Sequence, residues 1–222
     1  MSEDAPGKQA PPEPVVFLHG LGETPQAWQD QVLALPAGHP ALAPWLLGTR
    51  PGRADQFDLT SAAAAVATEL DRIGAARARL CGVSLGATVA LQAAMDYPDR
   101  VSKLVVCAAQ VAPPKAVLVA QRAMLRMVPR RKLADKALDK DKLLAVLKEF
   151  GKLDISGRLG EVRVPTRVLI GADDRANKPA ARLIAHRIAG AELHEIPGAG
   201  HTPHSDNPDA FNRLAIDFLI AA

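Results

Sequence analysis

Three short segments hold residue types that, brought together, would perform nucleophilic acyl chemistry. Gly82-Val83-Ser84-Leu85-Gly86 offers a serine hydroxyl with a glycine two residues to either side. Gly171-Ala172-Asp173-Asp174 offers a carboxylate, and Gly198-Ala199-Gly200-His201 an imidazole. A serine hydroxyl needs a base to take its proton, and the base needs a carboxylate to hold its tautomer and steady the imidazolium. The pattern names Ser84 as nucleophile, His201 as base and Asp174 as acid. Asp173 and His204 stand close enough in sequence to compete for the last two roles. The glycines at 198 and 200 favour His201, because a tightly turning loop must deliver the ring. Asp173 reads as a loop carboxylate.

A tetrahedral intermediate also needs two backbone donors. The amide of Leu85, directly after the serine, is one candidate. Leu21 in His19-Gly20-Leu21-Gly22 is the other, since flanking glycines let the chain come close. His19 itself reads as a ring that ties down loops beneath the site. Gly82 and Gly86 must be small for strand and helix to approach at the serine turn.

These segments need a frame. Val15–Leu18, Leu80–Val83, Leu104–Ala109, Val168–Ile170 and, more weakly, Ala191–Ile196 are short apolar runs of the kind that form buried parallel strands. Ala41–Leu47 is a fainter run, broken by Pro44. Helical spacing fills the gaps. Trp28, Val32 and Leu35 mark residues 25–35, and an Ala-rich stretch covers 60–73 behind a cap at Asp58 or Thr60. Further helices are expected over 85–96, 178–189 and 208–220. Alternating strands and helices predict an α/β fold around a mainly parallel sheet of about six strands. Residues 113–153 break the alternation with helix signals alone, and carry eleven Lys and Arg against four Asp and Glu. They read as a short helical cap inserted into a domain spanning 14–222, behind a disordered tail over 1–13.

Composition narrows the function classes. The formal charge is only +3, with no basic run interleaved with aromatics, so no nucleic-acid partner is expected. No run approaches the ~18 apolar residues that a membrane span needs, and the polar, Pro-rich start lacks the apolar region of a signal peptide. No cluster has metal-site spacing, and neither a metal nor another cofactor is expected. Cys81 and Cys107 lie in apolar runs and read as reduced core thiols, which suits a cytoplasmic protein.

Taken together, the chain from about Pro14 onward resembles the α/β-hydrolase superfamily. The matching pieces, in that superfamily's order, are Val16-Phe17-Leu18-His19-Gly20-Leu21-Gly22, Gly82-Val83-Ser84-Leu85-Gly86, Tyr97-Pro98-Asp99-Arg100-Val101, Gly171-Ala172-Asp173-Asp174-Arg175 and Gly198-Ala199-Gly200-His201. The resemblance implies Asp174 as acid, three residues after the glycine ending its strand, and Leu21 as donor, after the His-Gly pair. There are departures. Nothing before Val15 leaves room for the superfamily's first two strands, the insert is short, and Ala87 stands where many members have glycine. A serine nucleophile excludes the Asp-dependent dehalogenases and epoxide hydrolases. It leaves a serine hydrolase of carboxylesterase or lactonase type, acting on a small ester-like molecule through a Ser84-His201-Asp174 triad. Alternatives are a C–C bond hydrolase or cofactor-free perhydrolase on the same triad, or a hydrolase-like binding protein without turnover. The basic insert could draw in an anionic substrate, touch an acidic surface or partner, or stand solvated. The sequence leaves the oligomeric state open.

Overall fold

The computed structural model describes residues 12–221. The expected tail therefore falls largely outside the described residues. Of its last two, Glu13 lies 3.8 Å from the Arg79 guanidinium.

Six strands form one sheet in the order β2-β1-β3-β4-β5-β6, with every neighbouring pair parallel. β3 (Ala78–Val83) and β4 (Val101–Cys107) lie at its centre, with β1 (Val15–Leu18) and then β2 (Ala41–Leu42) on the β3 side. β5 (Thr166–Gly171) and β6 (Glu192–Ile196) complete it. Val15–Leu18, Leu80–Val83 and Leu104–Cys107 are continuously apolar because both faces are covered there, while Arg79, Ser102 and Lys103 stand part-exposed at the strand starts. β6 is an edge, and its side chains are mostly part-exposed, which accounts for the weaker apolar signal. β2 shrinks to two residues. Pro44 lacks the N–H that a longer ladder would need.

The connections set up the site. The chain leaves β1 toward β2 on one side and leaves β3 toward β4 on the other. Loops that diverge from adjacent parallel strands open a crevice at their carboxyl ends, the usual ligand position in such sheets. Helix α3 (Leu85–Asp96) starts in that crevice. Every residue from Leu85 to Met95 is buried, so its alanines are what allow close packing on all sides. Helix α2 (Leu59–Arg72) begins where the Asp58 side chain accepts a hydrogen bond from the Ser61 amide, as a cap should.

The first helical stretch differs from its expected form. A 3-10 turn, Pro25–Trp28, runs into a short helix α1 (Gln29–Leu33). Val32 is exposed, and the buried residues are Trp28, Gln31 and Leu35. Gln31 is tolerated inside because its amide donates to the His204 carbonyl at 3.1 Å and to Asn212 at 3.0 Å. The strand expected to start at Leu104 starts at Val101 and ends at Cys107.

Between β4 and β5 lie three helices: α4 (Lys115–Met127), α5 (Arg130–Ala134) and α6 (Lys140–Phe150). α6 buries Leu143, Val146 and Leu147, and Lys142 reaches Asp55 at 3.3 Å. α4 buries only Leu118. Helices α7 (Lys178–Arg187), α8 (Pro203–Asp206) and α9 (Pro208–Ile220) complete the fold. Phe211 of α9 is fully buried, with its ring 6.0 Å from that of Trp28. Phe211→Ala should lower unfolding free energy by about 3–5 kcal/mol in a denaturant titration, against less than about 0.5 kcal/mol for exposed Leu33→Ala. Equal effects would mean that the α9 contact is not part of the core.

Candidate active site

Ser84 is the single residue between β3 and α3. Its φ is 53° and its ψ −116°, a conformation L-residues avoid. The close start of α3 imposes it. A Cβ at residue 82 would lie 2.5 Å from the Gly86 carbonyl carbon, and one at residue 86 would collide with the Leu18 carbonyl on β1. Only glycine fits at both positions. The turn is pinned from below. The Ser84 amide donates to Cys107 O at 2.8 Å, and Thr88, wholly buried, donates its hydroxyl to the Gln110 carbonyl at 2.8 Å.

The hydroxyl projects from this turn. Ser84 Oγ lies 2.9 Å from His201 Nε2, and His201 Nδ1 lies 2.8 Å from Asp174 Oδ2. Asp174 is buried, while the neighbouring Asp173 is exposed and does not meet the ring. Burial alone would raise the Asp174 carboxyl. Hydrogen bonds from His201 and Asn177, with the attraction of the imidazole, outweigh it and hold the group below its usual range. The carboxylate is thus ionised where an imidazolium beside it would form.

His204, the other candidate base, lies elsewhere. It is fully buried, its ring 4.5 Å from Trp28 and its Nε2 3.4 Å from Glu23 Oε1. Glu23 in turn accepts the Gly20 amide at 2.7 Å, so this pair braces the loop after β1. His19 braces it too. Its Nε2 accepts the Leu46 amide at 3.2 Å, which leaves the proton on Nδ1 to donate to Gly20 O at 2.9 Å. Burial pushes the His19 ring below its ordinary pKa, which keeps it neutral in this role.

Leu21 and Leu85 both line a cavity of about 460 Å³ that also holds Ser84, Asp174 and His201. Leu85 is the first residue of α3, where helix amides have no intrahelical partner. Neither the Leu85 nor the Leu21 amide donates to a protein acceptor among the described residues. Pro114, Val117, Leu118 and Gln121 close the cavity from the α4 side, and Leu147 and Phe150 from α6. None of the insert's Lys or Arg lines it. A larger cavity of about 480 Å³ lies between β2 and α2, and none of Ser84, Asp174 and His201 lines it. Among the described residues no three His, Cys, Asp or Glu side chains are grouped to hold a metal ion.

A family model described as "Alpha/beta hydrolase family" matches residues 15–214. The chain belongs to that family. A 2-hydroxy-6-oxo-6-phenylhexa-2,4-dienoate hydrolase of Comamonas testosteroni is 30% identical, with 93% of this chain and 87% of that protein covered. A protein of the same name from Burkholderia cepacia is 29% identical with the same coverage. Among solved structures, the enol-lactonase of Burkholderia xenovorans LB400 matches at a TM-score of 0.84 and 23% identity, covering 96% of this chain and 93% of that one. That likeness shows a shared fold.

Within this α/β hydrolase two residues that sequence reasoning missed, Asn177 and Gln110, hold Asp174 in place. The Asn177 amide donates to both Asp174 oxygens, at 2.7 and 2.8 Å, and its carbonyl accepts from the Gln110 side chain. Asn177 precedes helix α7 yet leaves that helix without a side-chain cap. An asparagine at a helix start reads as a cap, so its spacing three residues after Asp174 was the one available signal. Asn177→Ala should cut kcat by about 10- to 100-fold, far more than it changes KM, while the melting temperature holds. An unchanged kcat, or a loss that tracks unfolding, would contradict the placement.

Proposed function

We propose that this hydrolase cleaves ester-like bonds, as a carboxylesterase or lactonase, through a covalent acyl-enzyme. The observation that carries the reading is the pair of hydrogen bonds joining Ser84 Oγ to His201 Nε2 and His201 Nδ1 to Asp174 Oδ2, at 2.9 and 2.8 Å. Ser84 Oγ attacks the carbonyl carbon as His201 Nε2 takes the hydroxyl proton. The amides of Leu21 and Leu85 hold the oxyanion. Collapse of the tetrahedral adduct expels the leaving group, which takes the proton from His201. A water deprotonated by His201 then attacks the acyl carbon and releases the acid, which restores Ser84. Asp174 keeps the ring in the right tautomer and balances its charge. The strained serine supports this reading over that of a retired binding protein, since the strain serves no purpose if the hydroxyl is idle.

Cleavage of a C–C bond is the second reading, favoured by the names of the two dienoate hydrolases at 29 and 30% identity. A dienoate carries a carboxylate, and the cavity offers only the amides of Gln110, Gln121 and Asn177 as polar side chains beyond the triad. A buried carboxylate without a cation is costly, so a neutral substrate fits this lining better. We take α4–α6 as the cap over it. The two buried free thiols, Cys81 and Cys107, suit a reducing, cytoplasmic setting.

No helix among the described residues is long and apolar enough to cross a membrane. The test is a substrate panel of p-nitrophenyl esters of rising acyl length, neutral lactones, and acidic esters and dienoates, each with wild type, Ser84→Ala, Asp174→Asn and Asp173→Asn. Neutral esters or lactones should be turned over best. Ser84→Ala should abolish turnover, Asp174→Asn should lower kcat by about 10⁴-fold, and Asp173→Asn should leave it within about threefold. Preference for dienoates would establish the second reading in its place. Turnover that survives Ser84→Ala would end both.

A further inference from the structure

The positive charge of the insert does not face the cavity, so it serves something else. Residues 113–153 carry a net +7, eleven basic against four acidic, while the rest of the chain carries sixteen against twenty, a net −4. The same insert holds four exposed large apolar residues, all on one helix: Val117, Val119, Met124 and Met127 of α4. At 3.6 residues per turn these fall, with Ala116, Ala120 and Ala123, on one arc of about 160° without a polar residue. All seven are exposed. Leu118 and Leu125 turn inward on the far side of the helix. Lys115, Arg122 and Arg126 form a row along one margin of the arc, and Arg131 and Lys132 follow on α5.

Of these five cations, none makes an ion pair among the described residues, whereas Arg130 pairs with Asp141 and Lys152 with Glu149. A solvated helix has no reason to keep Met124 at 67% and Met127 at 85% exposure, and a polar partner would gain nothing from them. An outward apolar face edged by unpaired cations is the make-up of a helix that lies in the plane of a bilayer. We infer that α4 docks this hydrolase onto an anionic lipid surface, with the arc in the headgroup region and the cationic row against acidic headgroups. Val117 belongs both to the arc and to the cavity wall. Docking would therefore put lipid beside the cap, where apolar esters partition.

Vesicle co-sedimentation tests this without any enzymatic readout. The probes are vesicles of phosphatidylglycerol mixed equally with phosphatidylcholine, and vesicles of phosphatidylcholine alone. The full chain should pellet with the first and not the second, and should be released at about 0.5 M salt, where screening reaches within a few Å. Replacing Arg126, Arg131 and Lys132 with glutamine should weaken partitioning by about 100-fold, roughly fivefold per cation. Met124→Asp with Met127→Asp should abolish it, with the hydrolysis of a water-soluble ester unchanged. Absence of pelleting, or equal pelleting on both vesicles, overturns the inference. So does a wild-type dimer that the Met→Asp pair converts to monomer without any vesicle binding, since a second copy would then cover the face.

Discussion

Everything at the site follows from how closely helix α3 starts to the strands it leaves. There is room for one residue between β3 and α3, and the Leu18 carbonyl presses on Gly86 from the side. Ser84 is driven to φ 53° as a result. Such a conformation costs about 1–3 kcal/mol and persists only where the surroundings over-determine it. Here the surroundings are a core in which β1, β3 and nearly all of α3 are buried. The helix cannot back away without opening that core. Stability elsewhere in the molecule is what keeps the serine presented.

The Ser84 turn and the Asp174 loop are also joined to each other. Gln110, just past β4, accepts the Thr88 hydroxyl on its backbone carbonyl and donates its side-chain amide to Asn177. Thr88 holds the first turn after Ser84, and Asn177 holds Asp174. One residue therefore fixes the distance between the two halves across which His201 must reach. His201 is the exposed member, its side chain 48% accessible, and relies on these fixed neighbours on either side.

Much of this was legible in the sequence because steric exclusion leaves a mark on residue type. Gly82 and Gly86 are forced by contact, and the apolar runs of β1 and β3 by burial on both faces. Where a choice depends on which way a side chain turns, the sequence was mute. Asp173 and Asp174 are chemically identical, and only the loop geometry buries the second. Helical spacing put Val32 on the core face with Trp28 and Leu35, yet it is Gln31 that is buried, because α1 is too short and its entry too irregular for ideal helical phase to hold. Asn177 stands where an asparagine could cap α7, and its amide instead donates to Asp174. The charge of the insert was plain from composition. That its cations point away from the cavity depends on how α4 and α6 pack, which no periodicity reveals.

The central claim is that Ser84 is activated by His201 for covalent attack. Labelling of the full chain with a fluorophosphonate, followed by peptide mass spectrometry, tests it most directly. The account predicts one adduct, on the peptide holding Ser84, formed slowly in His201→Ala and absent in Ser84→Ala. Labelling that is the same in Ser84→Ala as in wild type, or no labelling of the folded wild type at all, would contradict it.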